Sequence, residues 1–307
     1  MLNATIDSSH EGPADSVPET APNVTTEDDA REAPPPPRRV VLQFFLGPLL
    51  IVLLCALVYF LFGVVVFEKK TPRDFLTEIR SGSASERWQA AFELSRWFAS
   101  SPEEARDPAF ASEVIRLFAD SRHQDPRIRR YLALALGRLG DPAAIPALTE
   151  ALGDEDAETR LYAVWSLGAL KDRAALPSLL PLLGSDDPGM VKVAAYAIGT
   201  IGDASAVGAL EPLLDHGSAE VRWNAALALA QLGDASGIGV LLGMTEPGEL
   251  ARVEGMSETQ KIDAMTSAII ALHRLGDPRG AERIRELAVD APYVEVRRAA
   301  ASLVPPS

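Results

Sequence analysis

Residues 133–141 read ALALGRLGD, and the phrase returns as VWSLGALKD at 164–172, AYAIGTIGD at 195–203 and ALALAQLGD at 226–234. Asp141, Asp172, Asp203 and Asp234 therefore recur every 31 residues. Within each phrase the large apolar residues stand three apart: Leu136 and Leu139, Leu167 and Leu170, Ile198 and Ile201, Leu229 and Leu232. One turn earlier come Leu132, Ala163, Ala194 and Ala225. Side chains at this spacing share one face of a helix. A second apolar face follows each Asp: Ile145, Leu176, Val207 and Ile238, then Leu148, Leu179, Leu210 and Leu241. Each period reads as helix A, a turn at the Asp, helix B, and a polar turn such as GDEDAE at 153–158. Neither helix covers its apolar face alone; stacking successive hairpins covers both. The Asp is placed to cap helix B, and Pro142 suits that helix's first turn.

The pattern continues in both directions. Upstream, ERWQAAFELSRWF (86–98) repeats the Arg-Trp and Ala-Ala of VRWNAALALAQL (221–232). Downstream, AIIALHRLGD (268–277) returns after 43 residues instead of 31, an insertion of 12 within Gly243–Lys261. EVRRAAASLV (295–304) reads as a lone terminal helix A. The expectation is a repeat domain over 83–307 with about six hairpins plus a terminal helix, preceded by a juxtamembrane linker or helix at 68–82.

The pattern D-x-x-x-R, Ala, LG-x-LGD, Ala, Leu, Leu resembles the short HEAT-like repeat of the phycobilisome-lyase type, over roughly Ser83–Pro305. The resemblance implies an all-α fold, a right-handed α-solenoid of HEAT-like helical hairpins. It is specific for fold and poor for function, because scaffolds, bilin lyases and a metal-dependent hydroxylase share the repeat. It also implies an Arg/Asp ladder. Arg129, Arg160, Arg222 and Arg297 begin their A helices at equivalent positions, with Val191 interrupting the series. Deoxyhypusine hydroxylase is similar too, but holds a di-iron centre with His-Glu pairs. In the repeats here no His (His123, His216, His273) is followed by Glu, so that chemistry is not expected.

Ahead of the repeats, Val40–Phe67 is a run of 28 residues without a charge. A bilayer core needs roughly 20 apolar residues, so the run is expected to form a single transmembrane helix. A cleaved signal peptide is not expected: the run starts late, is too long, and no small-x-small site follows. Residues 1–39 hold eight carboxylates against three arginines and little apolar bulk, the composition of a disordered tail. Its Pro34–Pro37 run makes an extended spacer. Arg31, Arg38 and Arg39 on one side nearly balance Lys69, Lys70, Arg73 and Arg80 on the other. The short acidic tail can be translocated, which favours a cytoplasmic repeat domain.

The net charge of −14 argues against nucleic acid as a partner, since phosphate binding needs a basic footprint. Cys55, the only cysteine, lies in the apolar run, which excludes disulfides and thiolate zinc sites from the repeats. No phosphate-binding Gly loop or nucleophile elbow is present. The expectation is therefore a non-enzymatic, cofactor-free, membrane-anchored scaffold that binds a protein, such as a subunit of a membrane complex. The alternative is a lyase-like HEAT-repeat enzyme that handles a chromophore or cofactor.

Three places are candidates for binding. Leu134, Trp165, Tyr196 and Leu227 recur on helix A, with Ile270 equivalent after the insertion and Glu93 taken as the upstream counterpart. They form a stripe that could meet a partner; the competing reading lays them flat between hairpins. The outward positions of helix B include Ser178, Pro181, Pro212, Val240 and Gly243, small and uncharged enough for close approach by a protein segment. The third is the insertion itself, from which a solenoid is expected to gain nothing in packing.

Overall fold

The computed structural model describes residues 38–66, 70–100 and 107–304, with side chains in the first stretch given for 46–60. Except for Arg38 and Arg39, the expected tail lies outside the described residues. The chain divides into two units, Met1–Glu68 and Lys69–Ser307.

The first unit contains α1 (Arg38–Val66), with Pro48 inside it. The side chains of 46–60 are apolar and exposed, Leu50 at 63% and Phe60 at 68%. Among the described residues no helix is long and apolar enough to cross a membrane. The transmembrane helix expected at Val40–Phe67 is thus not established here, and Phe67 lies outside the described residues.

In the second unit every regular element among the described residues is a helix. α2 (Pro72–Ser81) packs on α3 (Ala84–Ser100), and α4 (Pro108–Asp120) meets α3 where the Phe98 and Phe110 rings lie edge-on at 5.8 Å. Then follow α5 (Pro126–Leu139) with α6 (Ile145–Glu150), α7 (Ala157–Ala169) with α8 (Leu176–Leu179), and α9 (Pro188–Ile201) with α10 (Val207–Leu210). α11 (Ala219–Gln231) pairs with α12 (Ile238–Met244). α13 (Pro247–Leu250) lies in the insertion, α14 (Glu258–Leu275) pairs with α15 (Pro278–Asp290), and α16 (Val294–Leu303) ends the stack. The described residues of this unit thus form an α-solenoid of stacked hairpins.

The local sequence explains the corners. Gly140 and Gly202 end their helices in the left-handed conformation (φ 75° and 81°), which glycine adopts without Cβ strain. The turn aspartates then accept the first free N–H of helix B: Asp141 from Ala143 at 2.9 Å, Asp172 from Ala174 at 2.8 Å, Asp203 from Ser205 at 2.9 Å. In the central repeats helix B is not the continuous helix that the pattern suggested. α8 and α10 are single α-turns followed by 3₁₀ stretches, Leu180–Gly184 and Glu211–Asp215. Pro181 and Pro212 sit second in those stretches, and with no N–H they cannot extend the α pattern.

The A helices pack on one another through very small residues. A Cβ added to Gly137 would come within 2.6 Å of Ser166, and one on Gly199 within 2.7 Å of Ala228. The apolar interior forms two clusters. One runs from Phe75 to Leu229, the other from Ala226 to Ala300, and both include residues of α11.

The insertion corrects a sequence expectation. Leu250 of α13 is fully buried in the second cluster. Arg283 of α15 donates to the Thr245 hydroxyl (2.9 Å) and carbonyl (3.2 Å), and pairs with Glu246 at 2.7 Å. The segment is folded onto the stack and adds to its core. A leucine carried on a short helix finds apolar cover there, which a count of inserted residues does not reveal.

Candidate functional site

The A-helix stripe is built from the outward positions between the buried columns. Leu134, Trp165 and Leu227 are half-buried, whereas Tyr196 is 42% and Ile270 52% exposed. Leu227 packs against the second core cluster. The flat-lying reading thus holds for part of the stripe, and its open part centres on Tyr196 and Ile270. The upstream counterpart is corrected by the register. Matching Arg87-Trp88 to Arg222-Trp223 puts Phe92, not Glu93, opposite Leu227. The Phe92 ring meets Tyr131 edge-on at 5.1 Å, so the stripe begins one repeat earlier than expected. Around it run ion pairs between neighbouring A helices: Arg130 to Asp156 and Glu158 at 2.5 Å, Lys192 to Glu220 at 2.6 Å.

The helix-B candidates separate. The Ser178 hydroxyl donates to the Ala175 carbonyl at 2.8 Å and is half-buried, engaged within its own turn. Pro181 and Pro212 are exposed. Val240 and Gly243 line a cavity of about 870 Å³ with Arg222 and Trp223 of α11 and Glu246, Glu249, Arg252 and Val253 of the insertion. That size lies within the range of roughly 300–1,000 Å³ of ligand sites. Arg222 and Trp223 were not singled out from sequence as site residues. Their signals were the Arg-Trp pair shared with residues 87–88 and, for Arg222, its place in the arginine column.

The Arg/Asp ladder does not form. Arg160 donates to the carbonyls of Asp154 (2.8 Å) and Glu155 (3.1 Å), and Arg222 to those of His216 (2.7 Å) and Gly217 (3.1 Å). Arg297 donates to the Ala291 carbonyl, and Arg87 to that of Ile79 at 2.8 Å. The guanidinium row therefore satisfies carbonyls at the end of the preceding helix B, which lack helical partners. Arg129 adds a buried carboxylate contact, Asp154 at 2.5 Å. The aspartates of the expected ladder are committed to capping. Asp203 shows the electrostatic result: the Ser205 backbone N–H, then the Arg173 guanidinium, hold its carboxyl down to about 2. Asp156 is also lowered, first by Arg130 and then by Thr159.

Among the described residues no group of three or more His, Cys, Asp or Glu is arranged to hold a metal ion.

Comparison with known proteins agrees with this geometry. Residues 113–198 and 192–257 match the family described as HEAT repeats, so HEAT repeats are present over that part of the chain. No curated protein sequence matches the chain. Among solved structures it is similar to the complex of CpcE and CpcF of phycocyanin lyase from Nostoc sp. PCC7120, with a TM-score of 0.54 and 24% identity. That match covers 77% of this chain and 96% of the other. An engineered protein follows at 0.42 and 22%, covering 76% and 94%. Human deoxyhypusine hydroxylase follows at 0.30 and 19%, covering 79% and 97%. The first of these supports the fold.

Proposed function

We propose that the chain is a non-enzymatic, membrane-anchored scaffold that docks a protein partner on the A-helix face of its HEAT-repeat stack. The observation that carries this reading is the stripe, with large apolar residues left open at Tyr196 and Ile270 where a soluble face would be polar. The anchor rests on the uncharged run Val40–Phe67 and the helical backbone of α1. The near-balance of flanking charge and the short acidic tail favour a cytoplasmic stack. In the test, membranes containing the chain are washed with alkaline carbonate, solubilised in detergent, and the chain is captured with its partner. Tyr196→Ser with Ile270→Ser is expected to leave the chain folded and membrane-bound but without that partner. Release by carbonate would sink the anchor; the same partner on both forms would sink the docking face. An alkaline phosphatase fused after Ser307 reports the side of the membrane, and activity outside would reverse the topology.

The likeness to the CpcE and CpcF complex supports a second reading, a chromophore- or cofactor-handling protein. An absorption spectrum of the purified chain separates the two. Visible absorbance that persists through purification would favour the second.

A further inference from the structure

The insertion builds a wall. Glu246, Glu249, Arg252 and Val253 stand across the larger cavity from α12 and the start of α11. A second hollow of about 280 Å³ adjoins it, sharing Trp223 and Val253 and reaching Asn224, Glu254 and Gln260. The two hollows meet at these shared residues, Trp223 and Val253.

Its floor is bare by composition. α12 holds two glycines in seven residues, Gly239 and Gly243, four apart and so on one face. Neither has a positive φ. Neither is crowded, since an added Cβ would meet nothing within 4 Å. Each weakens the helix relative to alanine, and both line the larger cavity. Packing and backbone conformation therefore give no reason for them, whereas close approach by another backbone does.

The charges around this space are mostly matched. Glu249 pairs with Arg252 at 2.5 Å, Glu246 with Arg283 at 2.7 Å, and Glu220 with Lys192 at 2.6 Å. Among the described residues, two lining charges enter no ion pair: Arg222 in the larger cavity and Glu254 in the smaller. Arg222 uses Nη1 on the His216 and Gly217 carbonyls, and Nε and Nη2 make no hydrogen bond among the described residues. The amides between are half used. Asn224 gives its Nδ2 to the Glu220 carbonyl at 2.9 Å, and Gln260 takes the Ser257 N–H on Oε1 at 2.8 Å. That leaves one amide acceptor and one amide donor, the pair of groups that a peptide backbone matches.

We propose that this hollow binds an extended peptide segment of a partner protein. The segment places an acidic side chain on Arg222, a basic side chain on Glu254, and its intervening backbone across Trp223 and the bare face of α12. The proposal rests on the reading of the chain as a protein-binding scaffold, but it uses residues outside the stripe, so either can fail alone.

The test selects random dodecapeptides displayed on phage against the full chain in detergent micelles. Selected peptides are expected to carry an acid and a base separated by several residues. Glu254→Lys, on an exposed loop, is expected to weaken them roughly tenfold, and reversing the peptide's base to an acid to restore binding. Gly243→Ala is expected to raise the thermal midpoint of the chain while weakening the peptides by a similar factor. Peptides without the charge pattern, or full affinity in Gly243→Ala, would overturn the proposal. So would displacement of the peptides by millimolar glycerophosphocholine, which would assign the two charges to a zwitterionic lipid headgroup.

Discussion

A Cβ built on Gly168 of α7 would stand 2.6 Å from the Cα of Ala197 on α9. The two backbones meet with no side chain between them. Helix propensity alone would make Gly168→Ala favourable by about 1 kcal/mol. Here the methyl meets a backbone that cannot step aside, so the net effect is expected to be a loss of about 1–3 kcal/mol. Urea unfolding followed by circular dichroism measures it. A neutral result would mean that α7 and α9 are further apart than described.

Lys171 has φ 53°, at the turn where Gly140, Gly202, Gly233 and Gly276 serve the other repeats. A left-handed conformation costs an L-residue roughly 1–2 kcal/mol, part of which glycine returns in unfolded-state entropy. Lys171→Gly is therefore expected to stabilise the chain by about 0.5–1 kcal/mol. A lower thermal midpoint would show that the lysine side chain makes up for its backbone.

Leu250 ties the insertion to the second core cluster, and Leu250→Ala should cost about 2–5 kcal/mol in urea unfolding. The expectation for an unattached surface loop is no change, so a loss below about 0.5 kcal/mol would return the insertion to that status.

Acid should act on the caps. The folded carboxyl of Asp203 is held at about 2, against about 3.9 for an unfolded aspartate. Asp125, Asp234 and Asp277 are lowered as well, each chiefly by a side-chain hydrogen bond from the residue two positions on. A lowered folded pKa contributes stability that is present above the unfolded value and lost as pH falls through the folded one. The thermal midpoint is thus expected to hold above about pH 5 and to fall between about pH 4 and 2. Asp203→Asn should make that fall shallower; an unchanged slope would remove Asp203 from the account.

The repeats were legible because stacking puts the same residue in the same surroundings every 31 positions, as the Asp141–Asp234 column shows. The partners of the arginine column were not. Arg160 and Arg222 bond main-chain carbonyls, and a carbonyl carries no residue identity for a sequence to display. The stripe was legible apart from Phe92, displaced by one position although the Arg-Trp pairs fix the register. The hollow at Trp223 depends on where the insertion folds; of its lining, Val240, Gly243 and the insertion itself stood out in the sequence, whereas the role of Trp223 did not.

The interior of the stack changes hands inside one helix: Ala225, Ala228 and Leu229 belong to the first cluster, Ala226 and Ala230 to the second. Across that seam α11 packs on α14 less extensively than α7 packs on α9. In a linear array each neighbour-to-neighbour interface sets its own threshold for opening. The stack is then two cooperative blocks hinged on a shared element, and α14–α16 should exchange their amide protons as one group before α5–α9 do. A tug on the carboxyl terminus would be felt as two events, the first of which leaves the stripe from Leu134 to Tyr196 intact.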